Sequence, residues 1–469
     1  MDMLRSIANH FLPALFLGCA GVAGYVVVWI VGWRVARKHA GPSARFPWRQ
    51  AVSGALLLGW LLMIVAVTLL FRIGGGQANF HLFRGWREAW NIFILLNWLN
   101  VLLNVALFLP LGILLPLAGR RFRRPHWTLL TGFCLSLGIE CTQLITKRGA
   151  FDVDDIFNNS LGAILGWCLV MAVLSLMTRQ RRRLALAYGA FPMLCALAFG
   201  GMMGTYYAQE YGNLACAPTY TVNMHGVTVS PRSGLPDFGE TAPVYYAAPY
   251  DRQSCDAFAH TLLEALGEPK QTNADTKETI YYDQQAAYLQ HAAGSFLWVY
   301  YLDRTFSYSY HDSSQTPEEA QADRETLEAL LAPFGLDIPK AAALTHLGDG
   351  SYEFSVEQYR DGNLFYDGSV ICTYCSDGRL WRVDNALICA TLWGQHSILS
   401  TAEALAQLEA GHFQGEAIAD YISEGIDAIT IGNIALTYQV DSKGYYQPVY
   451  VFDVFAGMNF DQIKIPALR

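Results

Sequence analysis

The sequence has few charged residues for its length. Of its 469 residues, only 15% are Asp, Glu, Lys or Arg, whereas 53% are hydrophobic. This balance excludes a disordered chain and a lone soluble enzyme domain, because soluble domains have roughly 25% charged residues. Acidic residues are scarcest in the first part: residues 1–204 contain 6 Asp/Glu beside 19 Lys/Arg, and residues 205–469 contain 34 beside 13. The chain therefore joins two chemically different parts.

The second part lacks the common catalytic signatures. It contains no GxSxG, no P-loop and no HExxH motif, and the eleven His residues of the chain are scattered singly. The sequence therefore predicts no metal site and no cofactor, and it names no catalytic residue. A net charge of −21 over residues 205–469 also excludes a nucleic-acid partner.

Six apolar runs fill the first part, and each is close to the roughly 20 residues that cross a bilayer as a helix. We predict a multi-pass bundle of six spans over residues 1–204. The spans are Phe11–Trp33, Ala51–Phe71, Trp98–Ala118, Trp127–Ile145, Ile156–Met177 and Leu184–Gly204.

The basic residues between the spans predict the orientation of the bundle. The connections after spans one, three and five carry 13 Lys and Arg, whereas the amino terminus and the connections after spans two and four carry 6. Lys and Arg near spans stay on the cytoplasmic side. We therefore predict a cell-membrane protein with its amino terminus and its long acidic carboxyl-terminal domain outside.

Polar side chains recur on one face of three spans. The repeats of three and four residues place each of these sets on one helix face: Asn97, Asn100 and Asn104 in span three; Ser136, Glu140 and Gln143 in span four; Asn158 and Asn159 ahead of Gly162 and Gly166 in span five. With the predicted orientation, Asn104, Glu140 and Asn159 lie roughly 5 to 10 Å below the outer surface. We expect them to lie close together, and the two glycines to allow close helix packing.

Glu140 is the least expected of these residues, because a carboxylate in hydrocarbon costs at least about 2.5 to 3.5 kcal/mol. Arg148 is its nearest candidate partner. The two residues could form a structural ion pair, or Glu140 could contact a ligand or handle a proton. Asp152 and Asp155, farther along the same connection, are suited to cap span five and to complement its helix dipole. They could equally bind a charged headgroup; a metal is less favoured, because no His accompanies them.

Three separated motifs resemble the VanZ-like membrane family. They are NVLLNVALFLPLG at 100–112, IECTQ at 139–143 and KRGAFDVDDIFNNSLGAILG at 147–166. The resemblance covers about 100 residues between positions 50 and 180 and implies a bacterial cell-envelope protein, with the namesake linked to resistance to the lipoglycopeptide teicoplanin. It implies no established reaction. The family's polar signature falls on Asn104, Pro110, Gly112, Glu140, Gln143, Arg148, Asp152, Asp155, Asn159 and Gly162.

The second part has the pattern of an extracytoplasmic α+β domain at 251–469, preceded by a linker with irregular strands at 205–250. Helical patterns and strand-like runs alternate, which predicts a repeated unit of one helix followed by antiparallel strands. We predict helices at 254–267, 317–333 and 400–410, and strands at 277–284, 295–310, 351–358, 363–375, 379–388, 427–440 and 445–455. The region resembles PepSY-like modules and the YycH/YycI regulators of a membrane sensor kinase.

The cysteines do not define a site. Cys372 and Cys375 form a CxxC within a predicted strand. Residues three apart in a strand point to opposite faces, so zinc or redox chemistry is not favoured. Cys372 is expected opposite Arg382 or Val383 on the next strand. A disulfide between Cys216 and Cys255 is left open.

Three functions fit these features. The favoured one is a non-enzymatic envelope protein that binds a lipid-linked or lipid-tailed molecule at the outer leaflet and contacts an envelope protein partner. The alternatives are an intramembrane enzyme that uses Glu140 or Asp155 as acid or base with Arg148 holding an anionic group, and an extracytoplasmic regulator of a sensor kinase.

Overall fold

A computed structural model describes residues 2–40, 48–70, 78–177, 182–266, 279–282, 286–290, 295–310, 318 and 320–469. The chain divides into two compact units. The first, the membrane unit, comprises Met1–Ala89 and Leu95–Glu210; the second, the sheet unit, comprises Trp90–Ile94 and Tyr211–Arg469.

Helices dominate the chain up to residue 208. They are α1 (Asp2–Ala40), α2 (Trp48–Val65), α3 (Arg84–Ile92), α4 (Leu95–Ala118), α5 (Pro125–Thr146), α6 (Val153–Met177) and α7 (Arg182–Ala208). Within the described residues, six stretches are long and apolar enough to cross a membrane, and they lie in α1, α2, α4, α5, α6 and α7. The six predicted spans are thereby confirmed. Only α3, with nine residues, is too short to have stood out as an apolar run.

Glycines set the packing between α4 and α6. A Cβ atom built on Gly162 would lie 2.1 Å from the carbonyl oxygen of Val105, and one on Gly112 would lie 2.0 Å from that of Ala163. The two backbones therefore touch, which only glycine permits at these positions. The small-residue face predicted for span five is confirmed.

The sheet unit contains one mixed sheet with four helices beside it. In the described residues the helices are α8 (Arg252–Ala265), α9 (Arg324–Leu331), α10 (Thr401–Glu409) and α11 (Glu416–Ser423). The strands are β1 (Thr228–Pro231), β2 (Thr241–Tyr246), β3 (Thr279–Tyr282), β4 (Ala286–Gln290), β5 (Phe296–Tyr300), β6 (Phe306–Ser309), β7 (Ala343–Gly348), β8 (Ser351–Asp361), β9 (Leu364–Tyr374), β10 (Leu380–Asn385), β11 (Ile388–Ser397), β12 (Ala428–Val440), β13 (Tyr445–Ala456) and β14 (Asn459–Pro466).

The strand order runs β1-β12-β13-β2-β11-β9-β10-β6-β5-β4-β3, with β14 beside β13 and with β8 joining β7 to β9. All described pairs are antiparallel except β1 with β12. Among the described residues, the two largest hydrophobic clusters on this sheet include helices. One packs α8 and α9 around Phe334 and Phe354, and the other packs α10 and α11 around Tyr450 and Phe452. The predicted α+β class and its helix-then-strands repeat are confirmed.

Two predicted elements differ from the structure. The run at 295–310 is not one strand but the hairpin β5–β6, because residues 301–305 form the connection. The helix predicted at 317–333 begins only at Arg324, where the Asp323 carboxylate accepts a hydrogen bond from the Thr326 backbone N–H and caps the first turn. The Thr316-Pro317 start proposed for it lies outside the described residues.

None of the ten cysteines forms a disulfide, and Cys216 and Cys255 lie in different hydrophobic clusters. Cys372 pairs with Val383 across the β9–β10 ladder, as one of the two predicted registers requires.

Buried thiols of the sheet unit should be nearly inert in the folded protein. Burial raises the pKa of Cys216 and of Cys255 to about 11, and that of Cys372 to about 12. The thiolate fraction near neutral pH therefore falls about a hundredfold or more relative to an ordinary thiol. We expect iodoacetamide at pH 8 to modify these three residues only after unfolding, as read by peptide mass spectrometry. A non-reducing digest that joins the Cys216 and Cys255 peptides would contradict the structure.

Candidate functional site

The start of α6 is held by its own capping residue. The Asp152 carboxylate accepts a hydrogen bond from the Asp154 backbone N–H at 2.8 Å, which satisfies one of the free donors of the first turn. The same oxygen accepts a second bond, also 2.8 Å, from the Asn79 side chain. Asp152 therefore has the capping role predicted from the sequence. It also joins α6 to the segment that precedes α3.

Asp154 binds the amino terminus of α3. Its two carboxylate oxygens accept hydrogen bonds from the backbone N–H groups of Phe83, at 2.5 Å, and Gly85, at 2.7 Å. Phe83 has a φ of 66°, a left-handed conformation that is uncommon for a bulky residue. A carboxylate at a helix amino terminus is favoured by the exposed donors and by the dipole. Asp154 is 3% exposed and positions α3 over the start of α6.

The polar residues predicted to share one face of α5 are buried. Ser136, Glu140 and Gln143 are each at most 1% exposed. The Glu140 carboxylate accepts the backbone N–H of Asp152 at 2.9 Å, and the Gln143 side chain donates to the carbonyl of Thr68 at 3.0 Å. Thr68 lies in the π-helical turn that ends the second span, Ala66–Leu70. Glu140 and Gln143 thus link α5 to its neighbours through main-chain groups.

The predicted convergence of three spans occurs through neighbouring residues. Asn104 of α4 donates to the Asp155 carboxylate, and Asn159 of α6 donates to the Ser136 hydroxyl of α5 at 2.8 Å. Asn104 and Asn159 therefore each contact another of the three spans. Glu140 contacts Asp152, which caps α6. None of the observed hydrogen bonds joins Asn104, Glu140 or Asn159 directly to one another.

Arg148 is exposed, in the turn after α5. The Glu140 carboxylate has the backbone N–H of Asp152 as one partner. The pairing of Glu140 with Arg148 stays a prediction.

A polar cavity of about 180 Å³ lies beside the cluster, within the membrane unit. It is bordered by α3, by the start of α4 and by the start of α6. Of the ten lining residues within the described ranges, eight carry a carboxylate or an amide. The lining residues are Gly85, Glu88, Asn97, Asn100, Val101, Asn104, Asp152, Asp154, Asp155 and Asn158.

The cavity includes three of the residues predicted for the site, Asn104, Asp152 and Asp155, and does not include Glu140, Gln143, Arg148 or Asn159. It also includes residues that were not assigned to the site from the sequence, above all Glu88 and Asp154. Glu88 lies on α3, a helix that the sequence did not predict because it contains no long apolar run. Asp154 and Asn158 are four residues apart and share a helix face, so their spacing was the available signal.

The cavity has no arrangement typical of a metal centre. No group of three or more His, Cys, Asp or Glu residues is placed to hold a metal ion anywhere in the described ranges. What the lining offers is hydrogen-bond acceptors in excess, together with amide donors.

Removing the Asp154 carboxylate should release α3. In Asp154→Ala, the N–H groups of Phe83 and Gly85 lose a charged acceptor, which is worth about 1.5 to 3 kcal/mol. We expect hydrogen exchange of residues 83–88 to accelerate by at least about tenfold, measured by mass spectrometry on the purified full chain. Glu88→Ala, on the exposed side of the same helix, serves as the control and should leave exchange at residues 83–85 unchanged. Equal protection in Asp154→Ala would show that α3 is held by other contacts.

Comparison with known proteins identifies part of the chain. Residues 56–175 match the VanZ/LLP1 family model. No curated protein matches the chain. Among solved structures, the chain is similar to the Bacillus megaterium YpeB C-terminal domain, with 9% sequence identity, coverage of 47% of this chain and 94% of that chain, and a TM-score of 0.17, which adds nothing to the fold described above. The family match contains all three motifs noted in the sequence. Residues 56–175 are thus similar to the VanZ/LLP1 family, within a membrane protein that has six candidate spans.

Proposed function

We propose that the cavity receives the polar headgroup of a lipid-tailed or lipid-linked envelope molecule and that the protein acts by binding rather than by catalysis. The observation that supports this is the lining itself. Carboxylates and amides at the ends of two membrane spans are costly in contact with lipid, so they are expected to serve a wet cavity or a ligand. A headgroup with its acyl chains along α4 or α6 would satisfy both the polar lining and the apolar helix surfaces.

The same geometry favours binding over an intramembrane reaction. Glu140, the first candidate acid or base, is 1% exposed and accepts a backbone N–H, and it does not line the cavity. Arg148, the candidate anchor for an anionic group, is exposed and does not line it either. Asp155 does line the cavity, but its carboxylate accepts a hydrogen bond from Asn104. These contacts are typical of residues that fix helix packing.

The proposal places the cavity at the outer leaflet, with the amino terminus and the sheet unit outside the cell, where an envelope protein partner would meet the sheet unit. Its support is the excess of Lys and Arg in the connections after spans one, three and five. In a chain whose native cysteines are replaced by Ser, we expect Ser233→Cys to react with a membrane-impermeant maleimide in intact cells. Arg123→Cys should react only after permeabilisation. The reverse pattern would contradict the orientation.

Lipid binding is tested with the purified full chain. We expect one lipid species of the host membrane to be retained through purification and detected by mass spectrometry. The double change Asn97→Leu and Asn100→Leu should abolish its retention, since both side chains line the cavity. Thr142→Val is the matched control, because the Thr142 hydroxyl bonds only to the Gly138 carbonyl of its own helix.

An identical lipid profile in the double variant and the wild type, with both chains folded, would contradict the proposal. If retention depends on the cavity, the double variant should also change the sensitivity of cells to envelope-targeting agents, which is the role that the VanZ-like resemblance implies.

A further inference from the structure

The charge of the cavity lining distinguishes among headgroups. Of the ten lining residues that the structure describes, four carry a carboxylate, namely Glu88, Asp152, Asp154 and Asp155, and none is Lys, Arg or His. Such a lining repels a bare phosphate or carboxylate and attracts a cation. Among the described residues, Glu88 has no hydrogen bond or ion pair, so at least one carboxylate can still take a donor.

A second side chain in the cavity is incompletely satisfied. Asn158 is only 1% exposed, and its Oδ1 accepts a hydrogen bond from the Trp86 indole at 2.9 Å. Its Nδ2 group has no hydrogen-bond partner among the described residues. An Asn amide that borders a polar cavity can donate to a ligand or water that carries an acceptor atom. The lining therefore favours a ligand that carries both hydrogen-bond donors and a hydrogen-bond acceptor.

The lining also selects the kind of cation. Quaternary ammonium groups are recognised by aromatic rings, and the ten described lining residues include no aromatic side chain. Carboxylate and amide oxygens instead suit the three N–H donors of a primary ammonium. A volume of about 180 Å³ exceeds the roughly 150 Å³ that holds benzene in an engineered cavity, so a small headgroup fits.

We propose, resting on the lipid-binding function above, that the cavity binds the primary ammonium of a zwitterionic lipid headgroup. Glu88 and Asp152 accept its N–H groups, and the acceptor oxygen beside the ammonium meets the free amide of Asn158. The headgroup class, and not only the presence of lipid, is then the property that the cavity selects.

Native mass spectrometry of the detergent-solubilised full chain tests this selectivity. The probes are phosphatidylethanolamine, its N-acetylated derivative and phosphatidylglycerol with identical acyl chains. We expect phosphatidylethanolamine to bind roughly tenfold more tightly than the other two, as expected when one well-placed charge pair is lost. Glu88→Gln should reduce this preference by about fivefold or more, whereas Glu409→Gln, an exposed change in the sheet unit, should keep it.

The outcomes separate the two proposals. Retention of phosphatidylglycerol or of the N-acetylated lipid with equal or higher affinity would overturn the ammonium inference and leave lipid binding intact. If none of the lipids is retained above the level seen in the Asn97→Leu and Asn100→Leu variant, both proposals fail. Displacement of phosphatidylethanolamine by free ethanolamine at equal affinity would contradict the proposal that the bound ammonium belongs to a lipid. Displacement by micromolar Mg²⁺ would assign the cavity to a metal and overturn the inference.

Discussion

Replacing Gly166 with Val is expected to prevent the assembly of the membrane unit. A Cβ atom at Gly166 would lie 2.0 Å from the carbonyl oxygen of Leu109 and 3.1 Å from the Cα of Gly112. Both contacts are with backbone, so no side chain can rotate away, and α4 and α6 would have to separate. We expect a loss of about 3 kcal/mol or more in the free energy of unfolding. The separation would also open the cavity, because both helices line it.

The measurement is thermal unfolding of the purified chain in detergent, together with size-exclusion chromatography. Gly138→Ala is the matched control, because a Cβ at that position of α5 would have no described atom within 4 Å apart from its chain neighbours and the backbone of its own helix. This change should leave stability unchanged or raise it by up to about 1 kcal/mol, since Ala is the better helix former. A Gly166 variant as stable as the Gly138 variant would mean that the two helices do not pack through their backbones.

Removing the Asp441 carboxylate is expected to destabilise the sheet unit by about 3 to 5 kcal/mol. Asp441 is fully buried, and its oxygens accept backbone N–H groups from Gly212 at 2.6 Å, Lys443 at 2.7 Å and Tyr445 at 3.0 Å. Gln447 donates to it as well, at 2.6 Å. Burial raises the pKa of Asp441 above its ordinary value, while these donors act in the opposite direction. In Asp441→Ala, four donors lose their acceptor inside the protein, where each such loss costs about 1 to 3 kcal/mol.

Hydrogen exchange of the β12–β13 hairpin, read by mass spectrometry on the full chain, measures the effect. We expect protection at residues 441–447 to be lost in Asp441→Ala. Asp453→Ala is the control on the same strand, since Asp453 accepts one exposed bond from Gln462, and it should cost less than about 1.5 kcal/mol. Native-like protection in the Asp441 variant would show that the turn does not depend on this carboxylate.

The sequence was sufficient for the parts of the fold that follow from periodicity. Six spans, the polar faces of α4 and α5 and the close approach of α6 through Gly162 all follow from residue spacing alone. In the sheet unit, the strands on either side of the Asp441–Gly444 turn were also predictable, because hydrophobic runs end at turn residues there.

The features of the site that the sequence did not predict depend on contacts between residues that are distant in sequence. The role of Asp154 arises because α3, which begins about 70 residues earlier, presents free backbone donors to it. Likewise, the sequence offered Arg148 as a candidate partner for Glu140, but no residue pattern indicates that the Glu140 carboxylate accepts the backbone N–H of Asp152. Single-sequence spacing identifies which side chains share a face, but it does not identify which main-chain groups will meet them.

The claim that the cavity holds a lipid headgroup is tested most directly by photo-crosslinking in native membranes. The probe is a phosphatidylethanolamine analogue with a diazirine close to its headgroup, and adducts are mapped by peptide mass spectrometry. We predict that adducts concentrate on residues 85–104 and 152–158 and disappear when both Asn97 and Asn100 are replaced by Leu. Adducts spread evenly over the lipid-facing surfaces of α1 and α7, unchanged in that variant, would contradict the account.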